Sequence, residues 1–246
     1  VSAIWKAVNS SEIIQPIASR ACRLVETQEE AATLALVDSF TEQDLLERLL
    51  ETAKPPLPQE VEGLHYLLAT PFRYPPLPYG SRFGRRHEPG ILYASLTAET
   101  CLAEVAYYRL VYINDLDELP PNPVTTQHML FWLKAHHNRG VNLTDKPFRR
   151  FLDALTHPSD YAQTQALGSA LREEDVAVVR YVSARCPESG QNLAVFTPGA
   201  IRSKVPENEV AISCETRKDH VFLYGETRAD FSIDSYLKEG RFPLPA

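Results

Sequence analysis

The chain has 246 residues, 44% of them hydrophobic and 23% charged, with a formal net charge of −7. That length supports a full hydrophobic core, the composition excludes a wholly disordered chain, and no apolar run approaches the roughly 18 to 20 residues that a membrane-spanning helix needs. The acidic balance provides no broad positive field for a phosphate backbone, so neither nucleic acid nor membrane is expected as a direct partner.

From about Ser10 to Leu50 the pattern predicts helix. Ile13, Ile14, Ile17 and Ala18 fall on one face, and Ala31, Ala32, Leu34, Ala35 and Leu36 follow the acidic Glu29-Glu30. Thr41-Glu42-Gln43-Asp44 then reads as a capped start to the stripe Leu45, Leu46, Leu49 and Leu50. Lys54-Pro55-Pro56-Leu57-Pro58 ends the region, so an N-terminal helical extension is expected over residues 1–60 and a second domain over 61–246. Seven of the nineteen prolines lie between Pro55 and Pro78. Each fixes φ and withdraws a backbone donor, so that stretch is not one regular element.

Beyond it the pattern changes to short β-like runs separated by turns. These are His65 to Thr70, Gly90 to Ser95, Val124 to Ala135, Val176 to Ser183, Asn192 to Thr197 and His220 to Tyr224. Helical periodicity interrupts them at Ala98 to Tyr108 and Tyr161 to Arg172. The predicted class is α+β, with mixed, largely antiparallel sheets and flanking helices. His136-His137-Asn138-Arg139-Gly140 reads as the turn after a core strand containing Trp132.

The cysteines, at 22, 101, 186 and 214, are too widely spaced for a zinc ribbon or a redox dithiol, and the first residues lack a long apolar signal core. A cytoplasmic protein without a bound metal is expected. A cysteine-dependent hydrolase using Cys101 or Cys186 with a histidine is a weak reading, because no local signature ties the two residue types together.

The stretch from Pro71 to Gly90 is the most unusual. It carries Arg73, Arg82, Arg85, Arg86 and His87 against a single Glu88, inside an acidic protein. Arginines on proline-stiffened loop backbone suit an anion such as a pyrophosphate, which a guanidinium grips in a bidentate way; the alternative is a solvated turn paired with nearby carboxylates. A strand, Ile91 to Ser95, leads into a helix with Thr97 as N-cap and a buried face of Cys101, Leu102, Val105 and Tyr108. Glu104 stands at the margin of that face, where it either serves chemistry or bridges to Arg109 or a loop arginine. Ser183, at the end of the strand Val176 to Ser183, either offers its hydroxyl to a ligand or satisfies a backbone group.

In this order, Arg73, the Gly-Ser-Arg-Phe-Gly turn at 80–84, the Ile-Leu-Tyr-Ala-Ser strand before the Glu104 helix, and Arg-Tyr-Val-Ser-Ala-Arg with Ser183 resemble the RES domain over roughly Leu64 to Tyr224. The resemblance implies a toxin of a bacterial toxin–antitoxin pair with a fold similar to ADP-ribosyltransferases. Such a protein consumes NAD as substrate or transfers its ADP-ribose, and needs no prosthetic group. Arg73, Glu104 and Ser183 would match the arginine, glutamate and serine that name the family, with Arg82 or Arg85 as alternatives for the arginine role. Phe83 stands where many members carry tyrosine, and Gly84-Arg85-Arg86-His87 replaces the family's Gly-Gly-Arg-Trp-Asn. The implied NAD-binding set is Arg73, Arg82, Phe83, Arg85, Tyr93 and Ser183, with Phe83 and Tyr93 available to stack on nicotinamide. An Xre-type antitoxin and a second copy of the toxin are the implied protein partners. The rival reading from another class is a non-catalytic binding module that docks a partner through the Pro/Arg-rich loop.

Overall fold

A computed structural model of the chain describes residues 2–8, 13–27 and 36–244. Their elements, in order, are α1 (Ala3–Val8), β1 (Gln15–Glu26), α2 (Phe40–Ala53), α3 (Tyr66–Arg73), β2 (Leu92–Ser95), α4 (Ala98–Asn114), β3 (Val124–Asn142), α5 (Leu152–Leu155), α6 (Ala162–Glu173), β4 (Val178–Val182), β5 (Gln191–Val195), β6 (Glu207–Thr216), β7 (His220–Gly225) and β8 (Arg228–Ser232). The fold is mixed α+β. Its strands run in the order β1-β2-β5-β4-β3-β6-β7-β8, and β1 pairs with β3 as well, so β1, β2, β5, β4 and β3 close into a ring. Every pairing is antiparallel except β3 with β4.

β3 makes this closure possible. One edge pairs with β1 from Glu26↔His128 to Gln15↔Gly140, while the other pairs first with β6 and then, beyond Trp132, with β4 at Gly140↔Val178. The turn expected at His136 to Gly140 is therefore strand. Its histidines pair with Ala18 and Ile17 across the ladder; as successive strand residues they point to opposite faces, each half-buried.

The N-terminal reading needs the largest correction. Gln15–Glu26 is not helical but a twelve-residue strand of the central sheet. Both of its faces are used: Ile17 and Ala21 join one buried cluster and Cys22 another. A strand covered on both sides loses the period-two alternation that would betray it, and here the apolar spacing imitates a helix. Ala31, Ala32, Leu34 and Ala35, also read as helix, lie outside the described residues. α2 forms as expected, although its cap is Ser39, whose side chain accepts from the Glu42 amide.

His65 to Thr70, expected as a strand, begins α3, with the His65 ring accepting from the Leu67 amide and Pro71 inside the last turn. A short continuous apolar run does not distinguish the two structures by periodicity. β6 and β8 add strands that the sequence did not announce. Three buried clusters fill the fold: one between α1, α6 and the ring, one inside the ring around Phe131, Leu133 and Leu193, and one where α4 covers β6 and β7. No helix among the described residues is long and apolar enough to cross a membrane.

Candidate active site

α4 begins on Thr97, whose side chain accepts from the Thr100 amide, and Glu99 lies in its first turn. It buries Leu102, Ala103, Ala106, Tyr107 and Leu110 against the sheet. Val105 and Tyr108, expected in that core face, instead turn with Cys101 and Glu104 toward a cavity of about 530 Å³. That size is within the range of small-molecule sites.

Glu104 is bonded not to an arginine but to two neutral donors. Ser183 Oγ donates to its Oε1 at 2.6 Å, and Asn192 Nδ2 donates to the same oxygen at 2.6 Å. Each donor is itself fixed. Ser183 Oγ accepts from the amides of Arg185 and Cys186 at 3.0 and 2.8 Å, and Asn192 Oδ1 accepts from Ser95 Oγ at 2.8 Å. A hydroxyl that accepts two amide hydrogen bonds has its proton directed elsewhere, here to the carboxylate. Ser183, 4% exposed, does not itself line the cavity; it orients the residue that does.

The arginines arrive from three separate elements. Arg23 comes from β1, Arg82 from the loop after α3, and Arg185 from the turn after β4; all three line the cavity with Glu104. Arg23 Nη1 donates to the Tyr93 carbonyl at 2.7 Å, its Nε is buried without a partner, and burial pushes its guanidinium below the usual range. Arg82 donates to the carbonyls of Leu155 and His157 and lies 4.7 Å over the Tyr161 ring. Three arginines against one carboxylate leave this cavity with excess positive charge, the complement of a ligand that carries more than one negative charge.

Several expected site residues stand elsewhere. Arg73 does not line the cavity; its Nη1 meets Glu51 Oε1 at 2.6 Å and its Nε donates to the Pro55 carbonyl, tying α3 to the end of α2. The Arg85, Arg86 and His87 side chains are exposed, so most of the cationic stretch is solvated surface. Phe83 is fully buried, edge-on to Tyr181 with ring centroids 4.9 Å apart, and has no face to offer a ligand. Its burial anchors the loop. Gly168 of α6 lets the Phe83 backbone approach so closely that a Cβ there would sit 1.9 Å from the Phe83 carbonyl oxygen. Gln165 clamps the loop by donating to the carbonyls of Tyr79 and Ser81.

Tyr93 does line the cavity, and its hydroxyl bonds Ser81 Oγ at 2.9 Å and the Phe83 amide at 3.1 Å. Burial pushes its phenol up to about 12. The sequence reading missed Arg23, Arg185 and Asn192, together with the tyrosines at 108, 161 and 181 in the wall. Arg185 had a signal, because it follows Ser183 by two residues. Arg23 had none, since its strand was read as a helix. Among cysteines, Cys22 and Cys101 line the cavity, and the Cys22 thiol is pushed up by its hydrogen bond with Cys101 and by burial, which makes it a poor nucleophile. His136 and His137 do not reach this wall. Among the described residues no cluster of three or more His, Cys, Asp and Glu side chains is placed to hold a metal ion.

The family model described as the RES domain matches residues 57–215. The solved M. tuberculosis MbcT-MbcA toxin-antitoxin complex contains a chain similar to this one at 11% identity and a TM-score of 0.48, over 93% of this chain and 92% of that one. No curated protein matches the sequence.

Proposed function

The chain belongs to the RES-domain family, and from that premise we propose that it is the toxin of a toxin–antitoxin pair whose cavity cleaves the nicotinamide–ribose bond of NAD. One observation carries the reading: Glu104 is held by Ser183 and Asn192 on the wall of a cavity that Arg23, Arg82 and Arg185 also line. Nicotinamide leaves as a neutral molecule from a cationic glycosidic nitrogen, so the bond breaks without a general acid. The transition state needs a fixed negative charge near the oxocarbenium-like ribose and a grip on the diphosphate. Glu104 Oε1 is engaged by its two donors, which sets the carboxylate plane and leaves Oε2 to meet the ribose hydroxyls. Arg23 and Arg82 neutralise the diphosphate, Arg23 in the role that the family resemblance gives to Arg73. Ring stacking on nicotinamide falls to Tyr93 and the other wall tyrosines rather than to Phe83. The ADP-ribose passes to water, phosphate or a protein side chain, and the site is built to serve the first, bond-breaking half of each.

The test is incubation of the isolated chain with NAD, with products identified by mass. Release of nicotinamide by the wild type, reduced about 10² to 10³-fold in Glu104→Gln, supports the reading. Intact NAD in the absence of any antitoxin rejects it.

A second feature favours a protein partner as well. α2 leaves Leu45 and Leu49, one turn apart on one face, 51% and 58% exposed, apolar surface of the kind that marks protein-binding sites. The antitoxin is proposed to dock there. Arg73 joins this helix to the end of α3, whose Pro71 lines the cavity.

A further inference from the structure

Arg185 is 4% exposed, yet it forms no ion pair with a carboxylate among the described residues. Its Nη2 donates to the Tyr161 hydroxyl at 2.7 Å, while its Nε is buried without any partner. An arginine does not lose its proton in a protein; Glu104 acts on this guanidinium only from a distance, and a buried guanidinium with no bonded counter-ion marks a place for an anion that binds later. Its planar group lies 3.9 Å over the ring of Tyr107. That stack fixes the plane of the fork, and Tyr107 is in turn held from outside the matched domain.

The hydroxyl of Tyr107, a fully buried residue, donates to the Pro243 carbonyl. Phe242 lies 5.3 Å from the Tyr107 ring at an interplanar angle of 34°. The segment returns to that position through a tight turn in which Lys238 and Arg241 exchange backbone hydrogen bonds around Glu239 and Gly240, both at positive φ. Tyr236, just before the turn, is anchored to α4 by its hydroxyl on the Ala103 carbonyl at 2.9 Å. A small void of about 20 Å³ separates this segment from Arg185. The order of contact is therefore Pro243, Tyr107, Arg185, cavity.

We infer that Arg185 is a third anion-binding residue of the cavity, directed at the diphosphate of the dinucleotide, and that Tyr107 is its positioning residue, held in place by the C-terminal segment 237–244. The inference rests on the dinucleotide reading for the identity of the anion. The diphosphate keeps its charge throughout cleavage, so a residue that grips it contributes equally to ground and transition states: its loss raises KM and leaves kcat nearly unchanged.

The experiment compares wild type, Arg185→Ala, Arg185→Lys and Tyr107→Phe in the full-length chain. Calorimetry with ADP-ribose gives Kd, NAD turnover gives KM and kcat, and thermal melting monitors the fold. Arg185→Ala is expected to weaken ADP-ribose about tenfold to a hundredfold, the usual consequence of losing a charge-assisted hydrogen bond. Arg185→Lys keeps the charge but loses the stacked fork, and recovers only part of that. Tyr107→Phe keeps the ring and releases Pro243, with an expected loss of about threefold to tenfold in Kd and KM at unchanged kcat. A folded Arg185→Lys or Tyr107→Phe protein with wild-type Kd and KM overturns the inference, whatever its melting temperature. The two readings fail separately: a wild type that binds ADP-ribose but leaves NAD intact rejects the cleavage reaction alone, whereas one that cleaves NAD with no contribution from Arg185 rejects this assignment alone.

Discussion

Ser183 Oγ donates to Glu104 Oε1 at 2.6 Å across 79 positions of sequence, and two backbone amides donate to that hydroxyl from the other side. The serine therefore acts through the glutamate. Ser183→Ala removes one of the two donors on Oε1 but leaves Asn192 in place, so its expected effect on kcat is smaller than that of Glu104→Gln. We expect about tenfold against about 10² to 10³-fold. Stability moves the opposite way. The alanine strands the Arg185 and Cys186 amides, costing about 1 to 3 kcal/mol, whereas Glu104→Gln leaves them satisfied. Steady-state kinetics and chemical denaturation on the two variants together check this crossed pattern.

Arg23, to which the sequence reading gives no role, lines the cavity, whereas Arg73, which the family resemblance puts there, does not. Arg23→Ala is expected to raise KM for NAD by about tenfold or more, because a partly buried guanidinium inside the cavity is lost. Arg73→Ala breaks the contact with Glu51 and the Pro55 carbonyl and leaves KM at the wild-type value. Measuring both KM values decides the assignment; a large KM effect at Arg73 with none at Arg23 reverses it.

What the sequence made legible follows from where each signal is stored. The place of Glu104 beside the apolar face is legible because a capped helix fixes the phase of its residues, whereas a role in chemistry comes only from the family resemblance. The stretch from Pro71 to Gly90 stands out by its composition, but composition does not say which arginine turns inward. That is settled by Phe83, whose burial on Gly168 rotates Arg82 into the wall and leaves Arg85 outside. Arg23 and Asn192 reach the site only through ladder pairings, β1 with β3 and β5 with β2. Such long-range register is not written in local periodicity, least of all for a strand buried on both faces.

Gly168 is where loop and helix meet, which makes it a sensitive position despite its distance from the chemistry. A methyl there would sit 1.9 Å from the Phe83 carbonyl oxygen, a backbone atom that cannot rotate away. Gly168→Ala is expected to destabilise the fold by about 1 to 3 kcal/mol and to lower activity by displacing Arg82. Gly63→Ala makes a useful contrast, since its Cβ meets nothing within 4 Å and any cost comes from its positive φ alone. Denaturation midpoints with NAD turnover for the two variants test this; unchanged turnover in Gly168→Ala would separate the loop from the site.

Tyr93 ties stability to alkaline pH. Burial raises its phenol from 10.0 to about 12. The folded state thus holds the proton more tightly than the unfolded state, and the stability that goes with it is complete below pH 10 and declines as pH rises toward about 12. Keeping this phenol protonated against the unfolded chain is worth about 2 to 3 kcal/mol. Melting temperatures of wild type and Tyr93→Phe across pH 8 to 12 should converge as the wild-type phenol ionises, with the wild type ahead at the lower end because its hydroxyl bonds Ser81 and the Phe83 amide. Parallel curves would assign the alkaline loss to other groups.

The apolar stripe of α2 gives the last prediction, and it separates partner binding from catalysis. Leu45 is 51% and Leu49 58% exposed, one turn apart on the same face. Lysine has nearly the helix propensity of leucine, so Leu45→Lys with Leu49→Lys is expected to leave melting and NAD turnover close to wild type. Two charges in a desolvated protein interface are another matter, since buried apolar anchors dominate such surfaces. Affinity for the co-expressed antitoxin is expected to fall at least about a hundredfold, and inhibition of turnover by that protein to fall with it. Surface plasmon resonance and an inhibition titration measure the two effects. Binding at wild-type affinity would place the antitoxin on another face, while weakened affinity with full inhibition at saturating antitoxin would mean that contacts at the cavity mouth are sufficient for control.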